Sequence, residues 1–300
     1  MNYEDFLTAV CEAVKLKFTE GGKVTINHVI KNNDTHLDGL VIMEDNSNVA
    51  PTIYLNDYYE QYCEGRQFEE IIDCLIQVYE KNKDVFTFSP DIFSNYEYMK
   101  EKIVYKVINY DKNKDLLKDV PHKRILDLAV VFYCLIEQRE DVNATAMIHN
   151  SHLKSWGITE DDLYNDAIKN TPLLLKSTIR PMSKILKEML DEEGKSSDED
   201  LVFSAQNGDM YVLKNSSKMN GAACMLYDSV LERFANVLGT DLYILPSSVH
   251  EVILLPKNDT YNKDILAQMV REVNMEGVPS DEILSDNVYE YNRKDGLISI

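Results

Sequence analysis

Cationic residues are scarce in this chain: 31 Lys and Arg stand against 51 Asp and Glu, for a net charge of −20 over 300 residues. Proteins that hold phosphate backbones gain most of their affinity from Lys and Arg releasing counterions. So acidic a surface works against direct nucleic-acid binding and equally against anionic membranes. Glycine is also sparse, at 11 residues, so phosphate-cradling loops are not expected. No P-loop, G-x-G-x-x-G, H-E-x-x-H or G-x-S-x-G pattern occurs. Nucleotide-dependent chemistry is not expected, and neither is a bound cofactor.

Cysteine is limited to Cys11, Cys63, Cys74, Cys134 and Cys224, an odd number, far apart and without C-x-x-C. That usage reads as reduced thiols serving mostly as small core hydrophobes, not as a disulfide framework or a zinc site. Long apolar runs are missing too. The longest, "LDLAVVFYCLI" at 126–136, contains an Asp and is too short to span a bilayer. The N-terminus, "MNYEDFLTAVCEAVKLKF", is acidic where an export signal needs positive charge. A cytoplasmic protein is expected, with no membrane contact.

What is present is a globular composition, 44% hydrophobic with 18 tyrosines. Asn2 caps a helix in which Phe6, Val10 and Val14 follow at i, i+4 spacing. "KVTINHVIK" alternates Val24, Ile26, His28 and Ile30 as a half-buried strand, and "LDGLVIME" and "TIYLND" read as two more. Two helical stretches surround Gly65. Their Tyr58 and Tyr62 read as packing residues, since no basic residues interleave to make a base-stacking platform. Residues 94–118 read as a third long helix closed by Pro121, with Ile103 and Val107 inward. "RILDLAVVFYCLIEQ" and "ATAMIHN" then form an antiparallel pair around the turn Arg139-Glu140-Asp141. Residues 191–207 open with "DEEGKSSDED" and read as an exposed acidic loop. Beyond it the chain reads ββαββα followed by a hairpin, with "GAACMLY" as the second strand.

The expected fold is α+β. A helix and short-strand N-terminal part, about 1–120, packs on a C-terminal antiparallel sheet with flanking helices, 121–300; a single continuous domain is the alternative.

Candidate chemistry concentrates in "NATAMIHNSHLKSWGITEDDL", 143–163. His149 and His152 straddle a strand-to-helix junction, where two imidazoles and a carboxylate such as Asp161 or Asp162 would form a catalytic or metal site. H-x-x-H alone fixes no third ligand. Local chemistry also explains the stretch as two helix starts: Asn150 or Ser151 caps the first, Gly157 ends it, and Thr159 with Asp162 opens the second. In "LPSSVHEV", Ser248 and His250 lie two apart on an extended strand, about 7 Å, too far for a dyad without a bend. Cys224 is a conceivable nucleophile with His149 or His250 as base, but its apolar flanks favour an inert buried thiol.

Five segments, taken together, resemble a known family: "APTIYLNDYYEQY", "LKDVPHKRILDLAVVFYCLI", "NATAMIHNSHLKSWGIT", "LYILPSSVHEVILLP" and "LSDNVYEYNRKDGLIS". Their order and spacing are similar to those of the low-GC Gram-positive family called domain of unknown function 5688. From residue 125 onward the layout more loosely resembles the YtpQ-like proteins. Neither resemblance implies an activity or a catalytic residue. It implies a bacterial cytosolic protein of accessory or mobile-element neighbourhoods.

Two functions fit. The first is a non-enzymatic accessory module that binds a basic protein, of the immunity or anti-restriction kind. The alternative is a small hydrolase or metal-dependent enzyme built on His149 and His152, with His250 or Cys224 nearby. The acidity also fits a charge that serves only solubility.

Overall fold

A computed structural model describes residues 1–18, 22–44, 50–83, 93–138, 143–192, 210–217, 219–258 and 261–300. The fold is α+β, and the chain divides into two compact units, Met1–Met99 and Lys100–Ile300.

The first unit opens with α1 (Tyr3–Lys17), whose first turn is closed by Asn2 Oδ1 accepting the Asp5 N–H at 2.8 Å. Its i, i+4 stripe buries Phe6, Val10 and Val14 as the spacing predicts. Strands β1 (Lys23–Ile30), β2 (His36–Met43) and β3 (Thr52–Tyr54) make an antiparallel sheet in that order. Helices α2 (Asn56–Cys63) and α3 (Phe68–Asn82) follow around Gly65, then the single turn α4 (Tyr96–Met99). Leu40, Ile42, Ile71 and Leu75 complete the core with α1. The Phe6 ring lies 5.2 Å from Tyr59, 5.5 Å from Tyr62 and 6.1 Å from Phe68, so these aromatics are committed to packing.

The second unit carries two antiparallel sheets. In the first, the long central strand β6 (Leu128–Gln138) takes β4 (Ile103–Asn109) along one edge. Along its other edge it takes β5 (His122–Ile125) and then β7 (Asn143–Met147). The expected helix over 94–118 is therefore corrected. Of that stretch Ser94 and Tyr96–Met99 are α-helical, and Ile103 and Val107 belong to β4, with 3-10 turns at Lys100–Lys102, Asp111–Asn113 and Leu116–Lys118. Every β4 residue except Lys106 is buried, so the β-branched run has neither a polar face nor an alternation to mark it as strand. Residues 100–120 thus serve this sheet and not an N-terminal helix.

After β7 come α5 (Asn150–Trp156) and α6 (Glu160–Leu174). Helix α6 packs on β4, and its buried Thr171 Oγ1 accepts the Tyr105 N–H at 3.1 Å. The second sheet runs β13-β12-β10-β11-β9-β8. Its parts are β8 (Ser177–Pro181), α7 (Met182–Glu192), β9 (Tyr211–Asn215), α8 (Val230–Leu238), β10 (Leu242–Leu245), β11 (Val252–Pro256), α9 (Lys263–Glu276), β12 (Tyr289–Asn292) and β13 (Leu297–Ser299).

Two further expectations are corrected here. "GAACMLY" is not a strand but a 3-10 helix, Gly221–Leu226. Gly221 through Met225 are all buried, so no alternation betrays the local conformation. A Cβ on Gly221 would lie 2.4 Å from the His250 carbonyl oxygen and 2.8 Å from the Asn215 nitrogen, so the turn depends on glycine. In the acidic stretch, Asp191 and Glu192 end α7, while 193–207 lie outside the described residues, as does the Arg139-Glu140-Asp141 turn.

Candidate functional site

The histidine loop is held from both sides. Ile148 is fully buried, and its N–H donates to the Phe132 carbonyl at 3.0 Å, so β7 ends firmly against β6. His149 follows in an extended conformation and occupies the capping position of α5, where Asn150 or Ser151 was expected. Gly157, left-handed at φ 69°, ends that helix, and Thr159 and Asp162 cap α6 reciprocally, both as the spacing predicts.

The 3-10 turn Leu116–Lys118 brings in a residue that sequence reasoning missed. The Asp119 carbonyl accepts the Asn150 N–H at 2.8 Å, and Asn150 Nδ2 donates to the Lys118 carbonyl at 3.3 Å. These bonds place Asp119 Oδ2 2.8 Å from His149 Nδ1. The His149 N–H in turn donates to His152 Nδ1 at 2.9 Å. That nitrogen therefore accepts, and the neutral His152 ring carries its proton on Nε2. Burial first, then the neighbouring His149, pushes the His152 pKa below the ordinary imidazole value, against a smaller opposing pull from Asp119. The His152 ring stacks on Trp156 at 5.7 Å and meets His149 edge-on at 5.6 Å.

Chemically, a carboxylate on one imidazole nitrogen orients the other as a proton acceptor. The His149 side chain is 37% exposed, so solvent reaches it. Among the described residues, no group of three His, Cys, Asp or Glu side chains gathers to hold a metal ion.

The other candidates have different surroundings. His250 Nδ1 accepts the Asn220 N–H at 3.3 Å, and its Nε2 lies 3.3 Å from Glu282 Oε1. Ser248 Oγ accepts the backbone N–H of His250 at 3.1 Å, so it serves the turn and not the ring. Cys224 is fully buried in the 3-10 helix, and burial pushes its thiol up to about 12, so it carries no thiolate at neutral pH. The structure thus brings His149 and His152 together with Asp119. His250 and Cys224 are held by other partners.

A second carboxylate–histidine pair sits in the first unit. Asp38, 8% exposed, accepts from Tyr3 Oη at 2.6 Å and contacts His28 Nδ1 directly across the β1–β2 ladder. The alternation of Val24, Ile26 and His28 put that histidine on the inward row; the structure corrects this, since the His28 side chain is exposed and only its Nδ1 edge meets the buried Asp38, a partner set by strand register.

The charged surface shows where the acidity goes. Lys17, Lys83, Lys114, Lys118 and Lys123 each pair with an Asp or Glu of their own unit, as does Arg180 with Glu188 at 2.6 Å. By contrast Asp57, Glu60, Glu64, Glu69 and Glu70 stand exposed along α2 and α3. Among the described residues none of these five pairs with a cation. No helix of the described residues is long and apolar enough to cross a membrane.

No curated protein and no solved structure matches the chain. Residues 3–293 match the model of a family of unknown function, DUF5688, and the chain belongs to that family.

Proposed function

We propose that this protein is a non-enzymatic binding module for a basic protein. The observation that carries the reading is the unneutralised acidity: the net charge is −20, and Asp57, Glu60, Glu64, Glu69 and Glu70 stand exposed and, among the described residues, without a cation, while Asp73 and Glu80 of α3 pair with Lys17 and Lys83. Exposed pairs contribute little to stability, typically less than about 1 kcal/mol each. A surplus of exposed carboxylate instead steers cationic partners and sets register on them. Among such factors, one of the immunity or anti-restriction kind, binding a basic host or mobile-element protein, fits this charge best, and the family resemblance suits a bacterial cytosolic setting. The test is capture from native-host lysate on the immobilised full chain at low and high salt, read by mass spectrometry. A basic protein held at low salt and shed at high salt supports the reading. Capture indifferent to salt, or no specific capture, counts against it.

One observation favours a second reading. The Asp119–His149 pair at 2.8 Å is oriented as an acid–base pair and suits a small hydrolase. Substrate screening of the wild type against a His149→Ala, His152→Ala double variant tests it. An activity present in the first and lost in the second would establish it.

A further inference from the structure

Helix α9 carries more apolar surface than the sheet covers. Leu266 and Val270 enter a core cluster with Tyr243, Leu245, Leu255 and Val288. That stripe alone would attach the helix. Beside it, Ile265, Met269 and Val273 recur at i, i+4 and i+8, a second row along the same helix. These three are 60%, 42% and 51% exposed. Single exposed apolar residues need no explanation, but an aligned row beside a groove does.

Met269 and Val273 form one wall of a groove of about 440 Å³. Met182, Met210, Leu245 and Ile253 also line it, and Glu251 and Glu282 are its acidic residues. Among the described residues that line it there is no Lys or Arg. Methionine is unbranched and polarisable, and it adapts to whatever side chain enters. An apolar trough with carboxylates and no cations selects on both counts: large apolar residues for the trough, positive charge beside them.

We propose that this groove seats an amphipathic segment of a cationic protein, with apolar side chains at i, i+3 or i+4 spacing in the trough and Lys or Arg toward Glu251 and Glu282. The inference rests on the basic-partner reading above and adds to it a place and an apolar anchor. It predicts that charge alone does not saturate the affinity.

The probes are two labelled peptides of about 18 residues, long enough for a helix of several turns. One carries leucine at helical spacing among lysines; the other has serine for each leucine and the same charge. Binding to the full chain is read by fluorescence anisotropy for the wild type, for a Met269→Ser, Val273→Ser double variant, and for Val237→Ser. Val237, on α8, is 82% exposed and lies outside the groove. The wild type and Val237→Ser should prefer the leucine peptide by about tenfold or more, as burial of one or two apolar side chains allows. The double variant should bind both peptides alike and at the weaker affinity. Equal binding of the two peptides by the wild type, or a preference that survives in the double variant, overturns the groove while leaving the acidic reading intact. Binding of neither peptide removes both. Self-association of the wild type that the double variant abolishes assigns the groove to a second copy of the chain and overturns the proposal.

Discussion

Tyr289 Oη donates to Asp127 Oδ1 at 2.5 Å, across 162 positions of sequence. The same carboxylate accepts from Ser285 Oγ at 2.7 Å and Asn287 Nδ2 at 3.0 Å. Asn274 Nδ2 donates to the Ser285 carbonyl, and Asn109 Nδ2 to the Leu284 carbonyl, each at 3.0 Å. One carboxylate before β6 thus holds the loop that leads into β12. It joins "RILDLAVVFY" to "LSDNVYEY", two of the segments that carry the family resemblance.

Removing that acceptor orphans a fully buried tyrosine hydroxyl and two further donors. Asp127→Ala should destabilise the second unit by about 2–4 kcal/mol and Tyr289→Phe by about 1–2 kcal/mol, since a buried polar group left unmet costs more than a bond cleanly deleted. Urea unfolding of the two variants checks the order. Equal effects, or a milder Asp127→Ala, would contradict the network.

Gly221→Ala should cost about 2–3 kcal/mol through overpacking, because its Cβ would meet backbone atoms and not a flexible side-chain end. Thermal unfolding reads it. A neutral outcome would mean that the 3-10 turn does not pack against the His250 carbonyl.

The histidine loop makes a prediction about pH. Folding depresses the His152 pKa below its ordinary 6.5, so on lowering the pH through that value the unfolded chain takes up a proton that the folded ring resists. Stability from this group is therefore full above the unfolded pKa and is lost as the pH falls toward the folded one. His152→Asn keeps an acceptor for the His149 N–H and removes the titration. The variant should lose less stability than the wild type over that interval, as measured by chemical unfolding at a series of pH values. Identical pH slopes would contradict a neutral, half-buried His152.

Much of this fold was legible in the sequence, and the exceptions share a cause. The Asn2 cap, the i, i+4 stripe of α1 and the Thr159–Asp162 box are local patterns, and each stands where spacing put it; the alternation in β1 located the strand but not its faces, since His28 is exposed. Spacing failed at 103–109, where burial on both faces erases periodicity and leaves Ile103 and Val107 compatible with either helix or strand. It failed again at Gly221–Leu226 for the same reason. Of the histidine site, His149 and His152 were visible as neighbours. Asp119 was not, because it is 30 positions away and reaches His149 only through a 3-10 turn bonded to Asn150. The α9 helix was visible from its spacing, but the exposure of Met269 and Val273 follows from which of its two rows the sheet covers.

On this reading, exposed carboxylate recruits a cationic protein. The most direct measurement is the equilibrium affinity of the full chain for the lysine–serine peptide across a salt series, since that peptide offers charge without apolar anchors. Screening shortens from about 30 Å at 0.01 M to about 8 Å at 0.15 M ionic strength. Clear binding is expected at the low end, with an affinity that falls steadily, by about tenfold or more, as salt rises across that range. Binding that is absent at low salt, or unchanged across the series, would contradict it.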